Sequence, residues 1–152
     1  KKVLIITSHY NTTLKQIKNH NKIYKKNIFD NNTEFKIYKP PQQNGGNNDK
    51  NSWEYHFDII KSDLKKIKDE FNFDITLVSC GGFGVITSNY IYEELNSSVM
   101  YIGRGLQLFF GILGNRWSSN KCIQDSNNGY WTRPMESDKP PKTELCENSC
   151  YW

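Results

Sequence analysis

Three glycines, Gly81, Gly82 and Gly84, follow the apolar run Asp74 to Cys80, and a second pair, Gly103 and Gly105, brackets Arg104 further along the chain. Glycines let the backbone approach a ligand closely. Amides at the start of a following helix offer hydrogen-bond donors and a positive dipole end to an anion. A guanidinium grips phosphate with paired hydrogen bonds, so Arg104 in the second turn extends the same chemistry. Gln107, Arg116 and Arg133 follow, the two arginines in the aromatic-flanked segments Arg116-Trp117 and Trp131-Thr132-Arg133-Pro134. Ser8, His9 and Thr12 surround the end of the first apolar run, and His9 is the one histidine placed to act as a base there. Glu136 and Asp138 are the nearby acids, a pair able to hold a divalent metal (Mn or Mg) or to deprotonate a hydroxyl, although a solvated tail accounts for them more simply. The glycine pattern is neither Gly-x-Gly-x-x-Gly nor the Walker form, and a plain tight strand-to-helix turn needs the same glycines.

The surrounding pattern supplies the elements that must position these groups. Val3–Ser8 is a short β-branched run and predicts a strand, with Asn11 or Thr12 available to cap a helix over about Thr13–Lys26 that buries Leu14 and Ile17. Glu34–Lys39 alternates and stops at Pro40-Pro41. A polar loop to Asn51 leads into a helix opened by Ser52 and Trp53, with Phe57, Ile60, Leu64 and Ile67 at helical spacing. The two glycine turns then punctuate strand, helix, strand and a buried helix running towards Trp117. Short β-branched runs stopped by glycine read as buried parallel strands. The expected fold is therefore α/β and Rossmann-like, a mostly parallel sheet of about four strands with helices on both faces and an irregular C-terminal tail. Right-handed crossovers favour the strand order 2-1-3-4. Ligands bind at the carboxyl edge of such sheets. The tail is expected to wrap over the sheet edge and bury Tyr151 and Trp152.

The 152 residues suit a single domain spanning 1–152, and a start at Lys1 reads as the C-terminal domain of a longer protein. A net charge of +4 suits a phosphate-bearing ligand but falls short of a nucleic-acid footprint. Lysines 15, 18, 22, 25 and 26 fit the solvated side of a helix. No run is long enough to span a membrane as a helix. Cys80 ends a strand and reads as a core thiol. Cys146 and Cys150 allow a local disulfide, or zinc with Cys122, without the paired spacing that marks zinc sites. Reduced thiols in the cytoplasm are the default.

Cys80 to Gly84, Gly103 to Gln107 with Leu108 to Trp117, Tyr130 to Pro134 and Cys150 to Trp152 together resemble a family of small α/β domains in bacterial and viral proteins, often encoded among surface-polysaccharide genes. The resemblance runs from Val3 onward. Its central strand and glycine turn are distantly similar to D-type glycosyltransferases, which implies binding of a nucleotide sugar and transfer to a glycan acceptor. The chain departs from the family at Thr7, Arg104 and Gly129, which implies altered specificity or lost activity if those positions do chemistry. Three readings follow: a glycosyltransferase-like domain beside an N-terminal partner domain, a non-catalytic sugar- or anion-binding module, and a phosphate-sugar isomerase.

Overall fold

The computed structural model describes residues 1–152. The chain divides into two compact units, one formed by Lys1–Ser8, Asn32–Gln42 and Asp49–Leu106, the other by His9–Asn31, Gln43–Asn48 and Gln107–Trp152.

The first unit is built on four strands, β1 (Lys2–Thr7), β2 (Glu34–Tyr38), β3 (Ile75–Ser79) and β4 (Ser98–Tyr101), all parallel and ordered β2-β1-β3-β4. The expected α/β class, parallel pairing and strand order are all found. Side chains alternate across a strand, so Leu4, Ile6 and Val78 enter one core with Tyr38, Ile60, Leu64, Phe73 and Ile91. Val3, Ile5 and Leu77 point the other way and are buried as well. Burial on both faces explains why these strands read as continuous apolar runs.

Helix α2 (Trp53–Phe71) supplies Ile60 and Leu64 to that core, with Phe57 and Ile67 partly buried beside them. Ser52 Oγ accepts from the Tyr55 amide at 3.3 Å, the expected N-cap. The helix ends at Asn72, whose φ of 44° and ψ of 58° are left-handed and whose amide donates to Lys68 O at 2.8 Å. Lys68 Nζ then donates to Phe73 O at 2.8 Å and to Ser97 Oγ at 2.6 Å, tying the entry of β3 to the entry of β4. Helix α3 (Phe83–Glu93) fills the connection between those strands.

The second unit contains α1 (Tyr10–Ile17), most of α4 (Leu106–Phe109), α5 (Lys121–Ser126) and several single 3-10 turns. Here two expectations are corrected. The helix predicted over Thr13–Lys26 starts earlier and stops at Ile17, and its buried residues are Thr12, Thr13 and Gln16 while Leu14 is 50% exposed. Beyond Ile17 the run Lys18 to Lys22 has no apolar period, and the backbone closes tighter i to i+3 bonds instead, such as His20 N to Ile17 O at 3.1 Å. The buried helix expected towards Trp117 is only four residues long. The chain turns at Gly111 and enters an isolated parallel bridge between Ile112 and Thr132, where the Leu113 amide donates to Thr132 O at 2.8 Å.

The loop Glu147-Asn148-Ser149 is unusual. All three residues have positive φ, 48°, 53° and 59°, a left-handed run without glycine. Such a conformation costs about 1–2 kcal/mol per residue, with asparagine the most tolerant.

The left-handed end of α2 is open to a direct check. Asn72→Gly should hold or raise stability, whereas Asn72→Ala should lower it by about 1 kcal/mol in urea titrations, since alanine meets the steric cost that glycine avoids.

Candidate functional site

The residues singled out by sequence divide between the two units. Ser8, Gly81, Gly82, Gly84, Gly103 and Arg104 belong to the first, and His9, Thr12, Gln107, Arg116, Arg133, Glu136 and Asp138 to the second.

In the first unit the register sets one edge. Thr7 pairs with Ser79 and Val78 with Tyr101, so Ser8, Cys80 and Ile102 all follow the carboxyl ends of paired strands. Gly81 carries the turn at φ +57°, and a Cβ on Gly81 or Gly82 would meet nothing within 4 Å. The surface outside this turn is open. The Gly84 amide donates back to Gly81 O at 2.9 Å, and α3 starts at Phe83 with no side-chain cap and no acid in its first turn. The other long helix of this unit, α2, has its serine cap.

Tyr101 joins the two glycine turns, a role the sequence reading missed. Its hydroxyl donates to Gly81 O at 3.3 Å, and a Cβ on Gly84 would lie 2.1 Å from its ring. A Cβ on Gly103 would lie 3.8 Å from the same hydroxyl. Gly84 is therefore a packing glycine that admits the tyrosine ring, while Gly81 and Gly82 leave space. The signal available in the sequence was an aromatic residue at the carboxyl end of β4, two positions before Gly103. Tyr101 is itself exposed, as is Arg104. Cys80 beside this turn is kept a thiol, because burial pushes its pKa up to about 11 against a smaller opposing effect of a Thr87 hydrogen bond.

In the second unit Asp138 is 2% exposed and does not pair with Glu136. Its Oδ1 accepts from the Asn11 amide at 2.9 Å and from Asn11 Nδ2 at 3.0 Å, while Oδ2 accepts from the Thr12 amide at 2.7 Å and from Thr12 Oγ1 at 2.6 Å. This carboxylate, 126 residues away in sequence, caps α1. Neither Asn11 nor Thr12 is the cap; both donate to it. Thr12 Oγ1 also accepts from the Met135 amide at 2.9 Å. Gln16 Nε2, on the same buried polar stripe of α1, donates to Phe110 O at 2.9 Å and Tyr130 O at 2.8 Å. Glu136 has a side chain 85% exposed and an ion pair with Lys139.

His9 precedes α1, is 5% exposed, and meets the Trp152 ring edge-on at 5.9 Å between centroids. Burial lowers its pKa to about 4, with the Asp138 charge and a Gln107 hydrogen bond acting more weakly in the opposite direction. The imidazole is neutral at physiological pH. Gln107 is buried and donates to Ile112 O at 3.0 Å. Arg116 reaches Glu147 at 2.7 Å, and its guanidinium lies 5.3 Å from the Tyr151 ring centre. Arg133 donates to Asn115 Oδ1 and, at 2.8 Å, to Trp152 O. Both arginines hold the segment that seats Tyr151 and Trp152, which are buried as expected. None of the cysteines forms a disulfide, and no cluster of three metal-ligating side chains forms anywhere in the chain. No helix is long and apolar enough to cross a membrane.

No protein-family model, curated protein or solved structure matches the chain significantly.

Two measurements bear on the polar knot of the second unit. Removing the cap with Asp138→Ala should cost about 2–4 kcal/mol in urea unfolding, because four donors lose a charged acceptor. The depressed pKa of His9 gives a pH effect of definite sign. Below pH 6.5 the unfolded chain binds a proton at His9 that the folded chain refuses until about pH 4, so stability falls as pH drops through that window. Between pH 7.5 and 4.5 the wild type should lose about 2–3 kcal/mol more than His9→Gln, read from urea midpoints at each pH.

Proposed function

We propose that the carboxyl edge of the first unit binds the diphosphate of a nucleoside-diphosphate sugar, in a glycosyltransferase-like role in glycan synthesis. The supporting observation is the uncapped start of α3 behind the open Gly81-Gly82 turn, with Tyr101 linking that turn to Gly103 and Arg104 following. Helix amides and a guanidinium suit two adjacent phosphates, and an exposed tyrosine ring suits stacking on a base or a sugar face. The resemblance of the Cys80 to Gly84 and Gly103 to Gln107 segments to a polysaccharide-associated family points the same way. A cytoplasmic setting belongs to this reading, since nucleotide sugars are cytoplasmic donors.

A second reading, a non-catalytic module that binds such a ligand beside a catalytic domain, is favoured by one observation. The carboxylate of Asp138 is committed to four donors and Glu136 is paired with Lys139, so neither acid is positioned by its neighbours as a base. Under this reading the domain holds the donor and does not turn it over.

A thermal-shift panel of UDP-, GDP- and dTDP-sugars, with and without manganese, tests donor binding. A ligand at about a hundred times its dissociation constant should add about 2.7 kcal/mol of stability, a rise of several degrees. Arg104→Ala should weaken the selected nucleotide sugar by about 10- to 100-fold without unfolding the protein. Gly82→Asp, which places a carboxylate in the open turn, should abolish the shift. A flat panel would discard the proposal. Sugar release from a bound donor decides between the two readings.

A further inference from the structure

Four residues apart, Cys146 and Cys150 flank the left-handed loop, and both join the cluster formed by Tyr151 and Trp152. We infer that these two thiols form a redox-responsive staple, a site of reversible disulfide formation that locks the segment seating Tyr151 and Trp152. This inference is independent of any ligand bound by the first unit.

Three observations carry it. First, the left-handed run Glu147-Asn148-Ser149 is closed by the Cys150 amide donating to Glu147 O at 3.2 Å. The run turns the chain back between the two cysteines, and both pack into one cluster with Tyr151 and Trp152. Second, the loop is held from outside, as an unfavourable conformation must be. Arg116 grips Glu147, the Arg116 amide donates to Cys150 O at 2.7 Å, Asn115 Nδ2 donates to Ser149 O at 3.1 Å, and Ser149 Oγ donates to Thr143 Oγ1 at 2.8 Å. The turn is thus held in one conformation with a cysteine at each end. Third, the thiols differ in access. Cys146 is buried, whereas Cys150 is half-buried with its Sγ donating to Glu147 Oε2 at 3.8 Å, which makes Cys150 the more accessible of the two.

The chemistry balances with a low-molecular-weight disulfide such as oxidised glutathione. The Cys150 thiolate attacks one glutathione sulfur, breaking its S–S bond and releasing one glutathione thiolate, which takes up the proton lost by Cys150. The Cys146 thiolate then attacks the Cys150 sulfur, forming the internal disulfide and expelling the second glutathione, which takes up the proton of Cys146. Two protein thiols are oxidised and one glutathione disulfide is reduced to two thiols. A cross-link over so short a loop, partly exposed, belongs with labile regulatory disulfides and not with permanent structural ones.

The test uses the whole chain with Cys122→Ser, which removes an exposed thiol that would link copies together. The protein is equilibrated in glutathione buffers of graded potential, alkylated, digested and mapped by mass spectrometry. The expected product lacks two hydrogens, loses alkylation at Cys146 and Cys150 together, keeps Cys80 alkylatable after denaturation, and melts several degrees higher than the reduced protein. Stoichiometric capture of one phenylarsine oxide per reduced chain, lost on oxidation, checks the proximity of the thiols without any further variant. Cys150→Ser should remove both the mapped cross-link and the redox-dependent shift. Persistent glutathione on Cys150 with Cys146 still alkylatable would overturn the inference, as would linkage between chains or a cross-link that leaves melting unchanged.

Discussion

The second unit depends on one buried carboxylate. Helix α1 has eight residues, fewer than an isolated helix needs to persist in water, and it turns threonines and a glutamine inward while Leu14 faces solvent. Apolar burial cannot account for its formation. Asp138 supplies what is missing, since both of its oxygens accept from the first turn of the helix and satisfy two otherwise orphaned amides. Gln16 completes the arrangement by reaching two carbonyls in segments nearly a hundred residues or more away. Buried polar groups of this kind stabilise only when each is matched, and a single missing partner leaves the others unmet.

The first unit rests on different physics. Its central strands β1 and β3 are buried on both faces while β4 is largely exposed, its longest helix is amphipathic and capped by a serine, and the connection from β3 to β4 carries Gly81, Gly82 and Gly84. The contrast separates the two groups of residues first linked to ligand chemistry. At the sheet edge a Cβ on Gly81 or Gly82 meets nothing and Arg104 is exposed, whereas in the second unit Asp138 binds Asn11 and Thr12, Gln107 binds the Ile112 carbonyl, Arg116 binds Glu147 and Arg133 binds Asn115 and the Trp152 carbonyl. The glycine edge presents groups to solvent, and the buried knot turns them inward.

That division explains what was legible in the sequence. The strands were readable because β1 and β3 are short β-branched runs, β2 alternates up to Pro40-Pro41, and β3 and β4 each run into a glycine turn, and the stripe Phe57, Ile60, Leu64 and Ile67 announced α2 together with its cap. The order β2-β1-β3-β4 followed from crossover handedness. Helix α1 was misread because an apolar period was sought where the buried face is polar, and its capping group lies 126 residues downstream, beyond any local pattern. Arg116 and Arg133 looked like anion ligands because a sequence shows a charge but not its partner, here Glu147 for one and the Trp152 carbonyl for the other. Tyr101 escaped notice because its importance comes from the parallel register that sets it over Gly84.

The distance between α1 and its cap also has a consequence during synthesis. Ribosomes add about 5–20 residues per second, so Asn11 and Thr12 emerge on the order of ten seconds before Asp138 exists to receive them. Until Phe110 and Tyr130 emerge to receive Gln16, and Asp138 after them, the nascent His9–Asn31 segment has no partner for its inward polar stripe. The first unit, in contrast, has all its strands by Tyr101 and can collapse earlier. The early segment must stay soluble while it waits, and its dense lysines and asparagines, with Leu14 as a lone exposed apolar residue of α1, fit a sequence selected to tolerate that delay.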